Sequence, residues 1–349
     1  MPGGIGRQAG AGLIQMQAIN PDKPVLVAGA SGFVGSHTVQ ALVAQGRRVR
    51  VLLRKSSSRK AIAHLPVEVF TGDVLNPESL RIAMQGCETV FYSVVDPRFW
   101  LTDPAPLYRN NVDGLINAMD VALECRIKRF VFTSTMGTLG FNPNGPVTEA
   151  TPFNWHSKAP PYILARLLAE HSLLQYCDKK GLPGIALCIA NTYGPVDHQP
   201  TPHGKMLWDV ARGHVRFTIQ ASAPTVDIRD VAQAALAAER LGRAGERYII
   251  ANEFIRNRDF YNLAAAAGGS KPVMVVPRSV AYVVAWIAEN IMKLTGRKDY
   301  LISTDSVFLS NAFQQLDNSK ARRELQWNPR PIRETIKDAV QWYANNNAG

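Results

Sequence analysis

A short apolar run, Pro24-Val25-Leu26-Val27-Ala28, ends in a glycine cluster, Gly29-Ala30-Ser31-Gly32-Phe33-Val34-Gly35. Residues with helical apolar spacing then run from Val34 to Gln45 and close at Gly46. Glycines three apart, directly between a buried strand and a helix, constrain this chain more than any other feature. One glycine makes the tight turn. A second lets backbone approach a pyrophosphate, and a third lets helix and strand pack closely. The helix start then presents free N–H groups and a partial positive charge to the phosphates. A glycine pattern alone is weak evidence, but strand–loop–helix context near the start of a domain makes it specific.

The chain beyond repeats the same rhythm. Strands read at Val49–Leu53, Val67–Phe70, Thr89–Ser93, Phe130–Thr133 and Ile185–Ile189. Helices read at Pro77–Met84, Leu107–Glu124 and Pro161–Lys179. Such alternation predicts an α/β fold with a doubly wound parallel sheet and helices on both faces. After Tyr193-Gly194-Pro195 the rhythm breaks. Residues 195–225 carry Pro195, Pro200, Pro202 and Pro224 and read as irregular, while 255–349 hold helical segments between proline-containing loops. The expected organisation is a disordered extension over 1–22, a dinucleotide-binding domain over 23–194 and about 225–252, and a smaller substrate lobe over 195–224 and 253–349. A return to the sheet is expected at Arg247-Tyr248-Ile249-Ile250.

Charge decides which dinucleotide. The 349 residues carry a net +11, which invites a polyanion partner. Seven of the basic residues lie in one stretch without an acid, Arg47, Arg48, Arg50, Arg54, Lys55, Arg59 and Lys60, leaving 32 basic against 28 acidic elsewhere. That distribution argues against nucleic acid and for a local cause. An NAD site usually places Asp or Glu at the end of the second strand to hold the ribose 2′-hydroxyl. Here the strand ends Leu53-Arg54-Lys55-Ser56. Arg54 is placed for a bidentate contact to a 2′-phosphate, so NADP(H) is the expected cofactor, with NAD(H) as the alternative. Arg47, Arg48 and Arg50 read as surface charges.

Other signals exclude classes. Cys87, Cys125, Cys177 and Cys188 form no CxxC pair and stand at no metal-ligand spacing with histidine, so reduced thiols in the cytoplasm are expected, with no metal. Residues 1–22 lack the apolar core of a signal peptide. The longest apolar run, Val280–Ala288, is about half of the ~20 residues that a membrane span needs. It reads either as a helix packed over a substrate pocket or as one lying on a bilayer as a peripheral contact.

A hydroxyl and a tyrosine make the second constellation. The fifth strand ends Phe132-Thr133-Ser134-Thr135-Met136-Gly137-Thr138. Tyr162 follows Thr135 by 27 residues, with Arg166 four further on. Positions i and i+4 share a helix face, so Tyr162 and Arg166 can serve one site. With Gly72-Asp73-Val74, Asn111-Val112-Asp113-Gly114, Asn191-Thr192-Tyr193-Gly194-Pro195, Val226-Asp227-Ile228-Arg229-Asp230-Val231 and Gly245-Glu246-Arg247-Tyr248, the chain resembles an extended short-chain dehydrogenase/reductase from about Pro24 to Tyr343. It is most similar to the group that includes dihydroflavonol reductases and 3β-hydroxysteroid dehydrogenases, within the epimerase/dehydratase superfamily.

The resemblance implies a Rossmann fold and a role for each matched residue. Gly29, Ser31, Gly32, Phe33, Val34 and Gly35 would cradle the cofactor's phosphates, and Arg54 and Lys55 would meet its 2′-phosphate. Asp73 and Val74 would flank the adenine. Ser93 and Val94 would line the ribose side, with Thr133 and Asn191 also against the cofactor. Tyr162 falls at the catalytic tyrosine and Thr135 at the Ser/Thr that binds the substrate oxygen. Asn111 matches a position in the active-site hydrogen-bond network. Phe99, Trp100, Met136 and Tyr193 would face the substrate. A homodimer, pairing the helices at 107–124 and 161–179 across a two-fold axis, is implied as well.

One departure stands out. The family's helix reads Tyr-x-x-x-Lys, and this chain reads Tyr162-Ile163-Leu164-Ala165-Arg166. Arginine keeps the charge and the donors, but with a pKa above ~12 it relays no proton. A free tyrosine titrates near ~10 and needs help to serve near neutrality. Detuned chemistry is therefore expected at Arg166, and a non-catalytic NADP-binding sensor or scaffold is a second reading. For the substrate, Phe99, Trp100, Phe153 and Trp155 suit a bulky apolar ketone or alcohol, sterol-like or flavonoid-like, unless they only pack the lobe. A sugar-nucleotide epimerase or dehydratase would want basic groups for a second pyrophosphate, and Arg98, Lys205 and Arg212 form no clear cluster.

Overall fold

The structure, a computed structural model, describes residues 20–98, 103–295 and 312–346, with Thr304, Val307 and Phe308 between the last two stretches. The proposed extension over 1–22 falls almost wholly outside the described residues, as do Phe99 and Trp100.

Seven parallel strands form the central sheet. In chain order they are β1 (Val25–Ala28), β2 (Val49–Leu53), β3 (Val67–Thr71), β4 (Thr89–Tyr92), β5 (Arg129–Thr135), β6 (Gly184–Ile189) and, after an excursion of three further strands, β10 (Arg247–Ile250). Their order in space is β10-β6-β5-β4-β1-β2-β3. The order reverses between β1 and β4, which opens a crevice beyond the carboxyl ends of these strands. Both faces are covered, so the central strands read as continuous apolar runs. On one face Val25 and Val27 pack with Val39 of α1 (Phe33–Ala44) and Val231 of α7 (Ile228–Leu241). On the other, Leu26 and Ala28 pack with Leu80 of α2 (Pro77–Met84), Leu115 of α4 (Gly114–Glu124) and Leu173 of α5 (Pro161–Lys180). The doubly wound α/β sheet expected from the sequence is therefore present.

Two local expectations fail. The helix read over Leu107–Glu124 is α3 (Ala105–Tyr108) joined to α4 by a wide π turn at Arg109–Asp113. The segment 195–225, read as irregular, contains α6 (Pro202–Ala211), β8 (Phe217–Ile219) and most of β9 (Ser222–Asp227). Proline misled here because its position was favourable. Pro202 sits in the first turn of α6, where its missing N–H costs nothing, and the Thr201 hydroxyl caps the helix by accepting from Gly204 N–H at 3.0 Å.

The remaining strands lie outside the central sheet. β7 (Asn191–Tyr193), β9 and β11 (Glu253–Arg256) form one sheet, and β8 pairs with β12 (Met274–Val276). α6, α8 (Asn257–Gly268) and the helix Ile332–Asn345 enclose a separate core around Leu207, Phe260, Ala264 and Ile336. α9 (Arg278–Thr295) closes a satellite cluster of Ala281, Ala285 and Val307 against Ile219 and Val276. The four cysteines are free, with Cys87 and Cys188 buried.

Candidate functional site

The glycine turn lies at the crevice. Gly29 adopts φ 86°, and a Cβ there would stand 2.6 Å from the Ser93 carbonyl, so the turn is wedged against the end of β4. A Cβ on Gly35 would meet the Gly29 carbonyl oxygen at 2.2 Å. Gly32 is exposed and N-caps α1 without any side-chain cap. The N–H groups of Phe33, Val34 and Gly35 have no hydrogen-bond partner among the described residues, and the first inward bond is Ser36 N–H to the Gly32 carbonyl at 2.9 Å. These open donors at a helix start fit a pyrophosphate. Beneath them His37 is buried, its Nδ1 2.9 Å from the Phe33 carbonyl. Burial lowers its pKa to about 4, against a smaller upward pull from Asp227.

The basic stretch divides in two. Arg47 pairs with Glu239 at 3.1 Å, and Arg50 pairs with Glu68 at 2.8 Å and lies over the Phe70 ring. The sequence read both as surface charges; instead each is largely buried and held by a carboxylate. Arg54, Lys55, Arg59 and Lys60 are exposed, and none forms an ion pair with a described residue. Register places Arg54 beside the turn, since Ala28 pairs with Leu52. One strand further, Asp73 accepts from Leu75 N–H at 2.9 Å, and Ser79 Oγ bridges the Asp73 backbone. Val74 is buried against Gly114.

Tyr162, Arg166 and Glu170 occupy one face of α5, four residues apart, against the end of β5. Arg166 is only 2% exposed. Its Nη2 donates to the Thr133 carbonyl, its guanidinium lies 4.9 Å from the Phe132 ring centroid, and its Nε and Nη1 have no partner. The Tyr92 hydroxyl is likewise buried and unpartnered. Burial lowers the Arg166 pKa, opposed by the tyrosines Tyr162 and Tyr92 and by Glu170. Burial raises the Tyr162 phenol, and the Arg166 charge draws it back down. Thr135 closes the group: its Oγ1 accepts from Gly137 N–H at 3.2 Å and, like Tyr162, it is half-buried. Ser93 Oγ and Thr133 Oγ1 are 2.9 Å apart and link β4 to β5.

The sequence reading missed Glu170 and Arg247. Glu170 is fully buried, accepts from Ser134 Oγ and from Thr138 Oγ1 at 2.9 Å, and forms an ion pair with Arg247 at 2.9 Å. The Tyr-Arg-Glu spacing of four and four was the available signal. Asp96 was also missed. Asn111 clamps it with two amide bonds, accepting from Asp96 N–H at 2.9 Å and donating to the Asp96 carbonyl at 3.1 Å. Asn110 and Arg98 hold its carboxylate, and despite burial they keep its pKa low.

Other expected site residues go elsewhere or stay inside. Tyr193 is buried in the small-lobe core, its ring 4.4 Å from that of Phe260, and Met136 is buried beside β5. Trp155 packs against Phe141 and Phe153 and donates from Nε1 to the Leu139 carbonyl at 3.0 Å, which gives it a structural role. Asn191 opens β7, pairing with Thr225. Among the described residues no group of histidine, cysteine or carboxylate side chains could hold a metal.

Comparison with known proteins follows the same outline. A family model described as NAD dependent epimerase/dehydratase family matches residues 25–251. A Synechocystis protein named as a dihydroflavonol 4-reductase is 30% identical over 328 residues, spanning 92% of this chain and 94% of its own length. Sterol demethylase protein B of Methylococcus capsulatus is 28% identical, spanning 91% and 97%. The crystal structure of gox2253 superposes with a TM-score of 0.82 at 32% identity, covering 94% of this chain and 99% of that one.

Proposed function

The chain belongs to the NAD dependent epimerase/dehydratase family, and from that premise we propose that it is an NADP(H)-preferring oxidoreductase acting on a carbonyl/alcohol pair of a bulky, apolar substrate. The observation that carries the reading is the face of α5 that sets Tyr162 and Arg166 against the end of β5, with Thr135 alongside. When bound, the nicotinamide supplies hydride to the substrate carbonyl carbon or accepts it in the reverse direction. The residues of this chain handle the proton and the positions. The Tyr162 hydroxyl gives its proton to the substrate oxygen in reduction and takes it back in oxidation. Thr135 holds that oxygen by a hydrogen bond. Arg166 stabilises the phenolate left on Tyr162, and its two unpartnered donors fit the hydroxyls of the cofactor ribose.

The uncapped start of α1 and the exposed Gly32 fit the pyrophosphate, and Asp73 and Val74 suit the adenine side. Arg54 and Lys55, exposed and without an ion pair among the described residues, support a 2′-phosphate and hence NADP(H). The apolar substrate class is supported by the reductase-named and sterol-named relatives.

The test is turnover of a panel of sterol-like, flavonoid-like and sugar-nucleotide substrates with each cofactor. NADPH-linked reduction of an apolar ketone, abolished in Tyr162→Phe with cofactor binding retained, supports the reading. Turnover of a sugar nucleotide with cofactor retained through purification would replace it with an epimerase, and binding without any turnover would replace it with a sensor. NADPH should raise the melting temperature more than NADH at equal concentration, since a tenfold tighter Kd adds about 1.4 kcal/mol at saturation. An equal shift would remove Arg54 from cofactor selection.

A further inference from the structure

α9 displays an apolar stripe that the site does not use. Val280, Val283, Val284, Ile287 and Ile291 fall on one helical face and are each 45–57% exposed, with Trp286 at 61% beside them. The opposite face of the helix buries Ala281 and Ala285 on the satellite cluster. The same satellite exposes Phe217 and Met274, partners across the β8–β12 ladder. From Val280 to Ile291 the stripe is about 17 Å long at 1.5 Å per residue.

The sequence around the helix is mainly basic: Lys271, Arg278, Lys293, Arg297 and Lys298 stand against Glu289 and Asp299. Glu289 is turned away from the stripe and accepts from Thr304 N–H at 2.6 Å and Thr304 Oγ1 at 2.9 Å. Lys271 and Arg278 are exposed, Arg278 over the Tyr282 ring. No helix among the described residues is long and apolar enough to cross a membrane.

We infer that α9 is a docking helix for an anionic lipid surface, seated with the Val283–Ile287 stripe among the acyl chains and its basic flanks on the headgroups. Aliphatic and tryptophan side chains beside the exposed Lys271 and Arg278, with Glu289 turned away, suit that interface. A second protein copy fits less well. One helix face of this length and about 10 Å width offers on the order of 200 Å², against about 800 Å² per partner in stable interfaces.

The experiment is vesicle co-sedimentation of the full chain with phosphatidylcholine alone and with added phosphatidylglycerol, beside a Val283→Asp/Ile287→Asp variant. The wild type should partition onto the anionic vesicles, less so at high salt. The variant should lose at least about tenfold in partitioning while keeping its cofactor-induced melting shift, which shows it folded. Trp286 should be quenched by bromine-labelled acyl chains, a signal absent in Trp286→Ser. Failure to bind anionic vesicles, equal binding to both compositions, or unchanged binding by the variant would overturn the inference. So would concentration-dependent self-association in light scattering that the variant abolishes, which would assign the stripe to a second copy.

Discussion

The buried His37 makes the stability of this protein depend on pH in a direction that can be worked out. In the folded chain its pKa falls from 6.5 to about 4, because the ring is buried, only 4% exposed, which outweighs the hydrogen bond to the Phe33 carbonyl. The unfolded chain therefore binds a proton near pH 6.5 that the native chain refuses until about pH 4. The contribution is intact above pH 6.5, declines as pH falls through that window, and levels off below the folded pKa. The full shift corresponds to ~3.4 kcal/mol. Between about pH 7.5 and about pH 5 the loss comes to roughly 2 kcal/mol. Replacing the ring by leucine removes the titrating group and keeps an apolar side chain of similar size. Urea unfolding of wild type and His37→Leu at the two pH values measures the difference. Asp197 and Asp230, whose pKa values burial raises, affect both proteins alike, so the comparison isolates His37. Wild type should lose about 2 kcal/mol more than the variant on acidification. Equal losses would refute the argument that burial of this ring controls its protonation.

Three further perturbations test the site. Gly29→Ala combines left-handed strain of about 1–2 kcal/mol with a collision against the Ser93 carbonyl, and should remove the cofactor-induced melting shift. Gly46→Ala carries the strain alone, with nothing within 4 Å of its Cβ, and should keep the shift. If the proposed reduction is catalysed, Arg166→Met should move its alkaline fall to higher pH, because the phenolate of Tyr162 loses its cation; an unmoved profile in kcat/KM would separate Arg166 from Tyr162. Arg247→Met should cost about 3–5 kcal/mol of unfolding free energy, read from urea titration, by stranding the Glu170 carboxylate, and Arg247→Met with Glu170→Gln should recover part of it.

Much of the sheet was legible because its strands are buried on both sides. Val49–Leu53 and Arg247–Ile250 were bounded correctly from apolar runs and flanking turns alone. The glycine turn was legible because its backbone demands leave few residue choices. α6 was hidden by Pro202, which starts a helix as readily as it ends one. The π turn at Arg109–Asp113 inserts one residue, a single local step of about 100° that a periodic pattern read over the whole segment does not resolve. Glu170 was hidden for a different reason: its partner Arg247 lies on a strand far along the chain, and no local pattern records an ion pair of that separation. The exposure of α9 was undecidable from sequence, since a helix apolar along one stripe reads the same whether that stripe faces protein or lipid.

The return of the chain at β10 also sets an order of assembly. Glu170 enters the nascent chain with α5, but Arg247 arrives only after the excursion through α6, β8, β9 and α7. Until β10 docks beside β6, Glu170 has its hydroxyl donors on Ser134 and Thr138 but lacks its ion-pair partner. A chain released before Arg247 would hold the glycine turn and the tyrosine, yet lack the cation that pairs with Glu170 behind them.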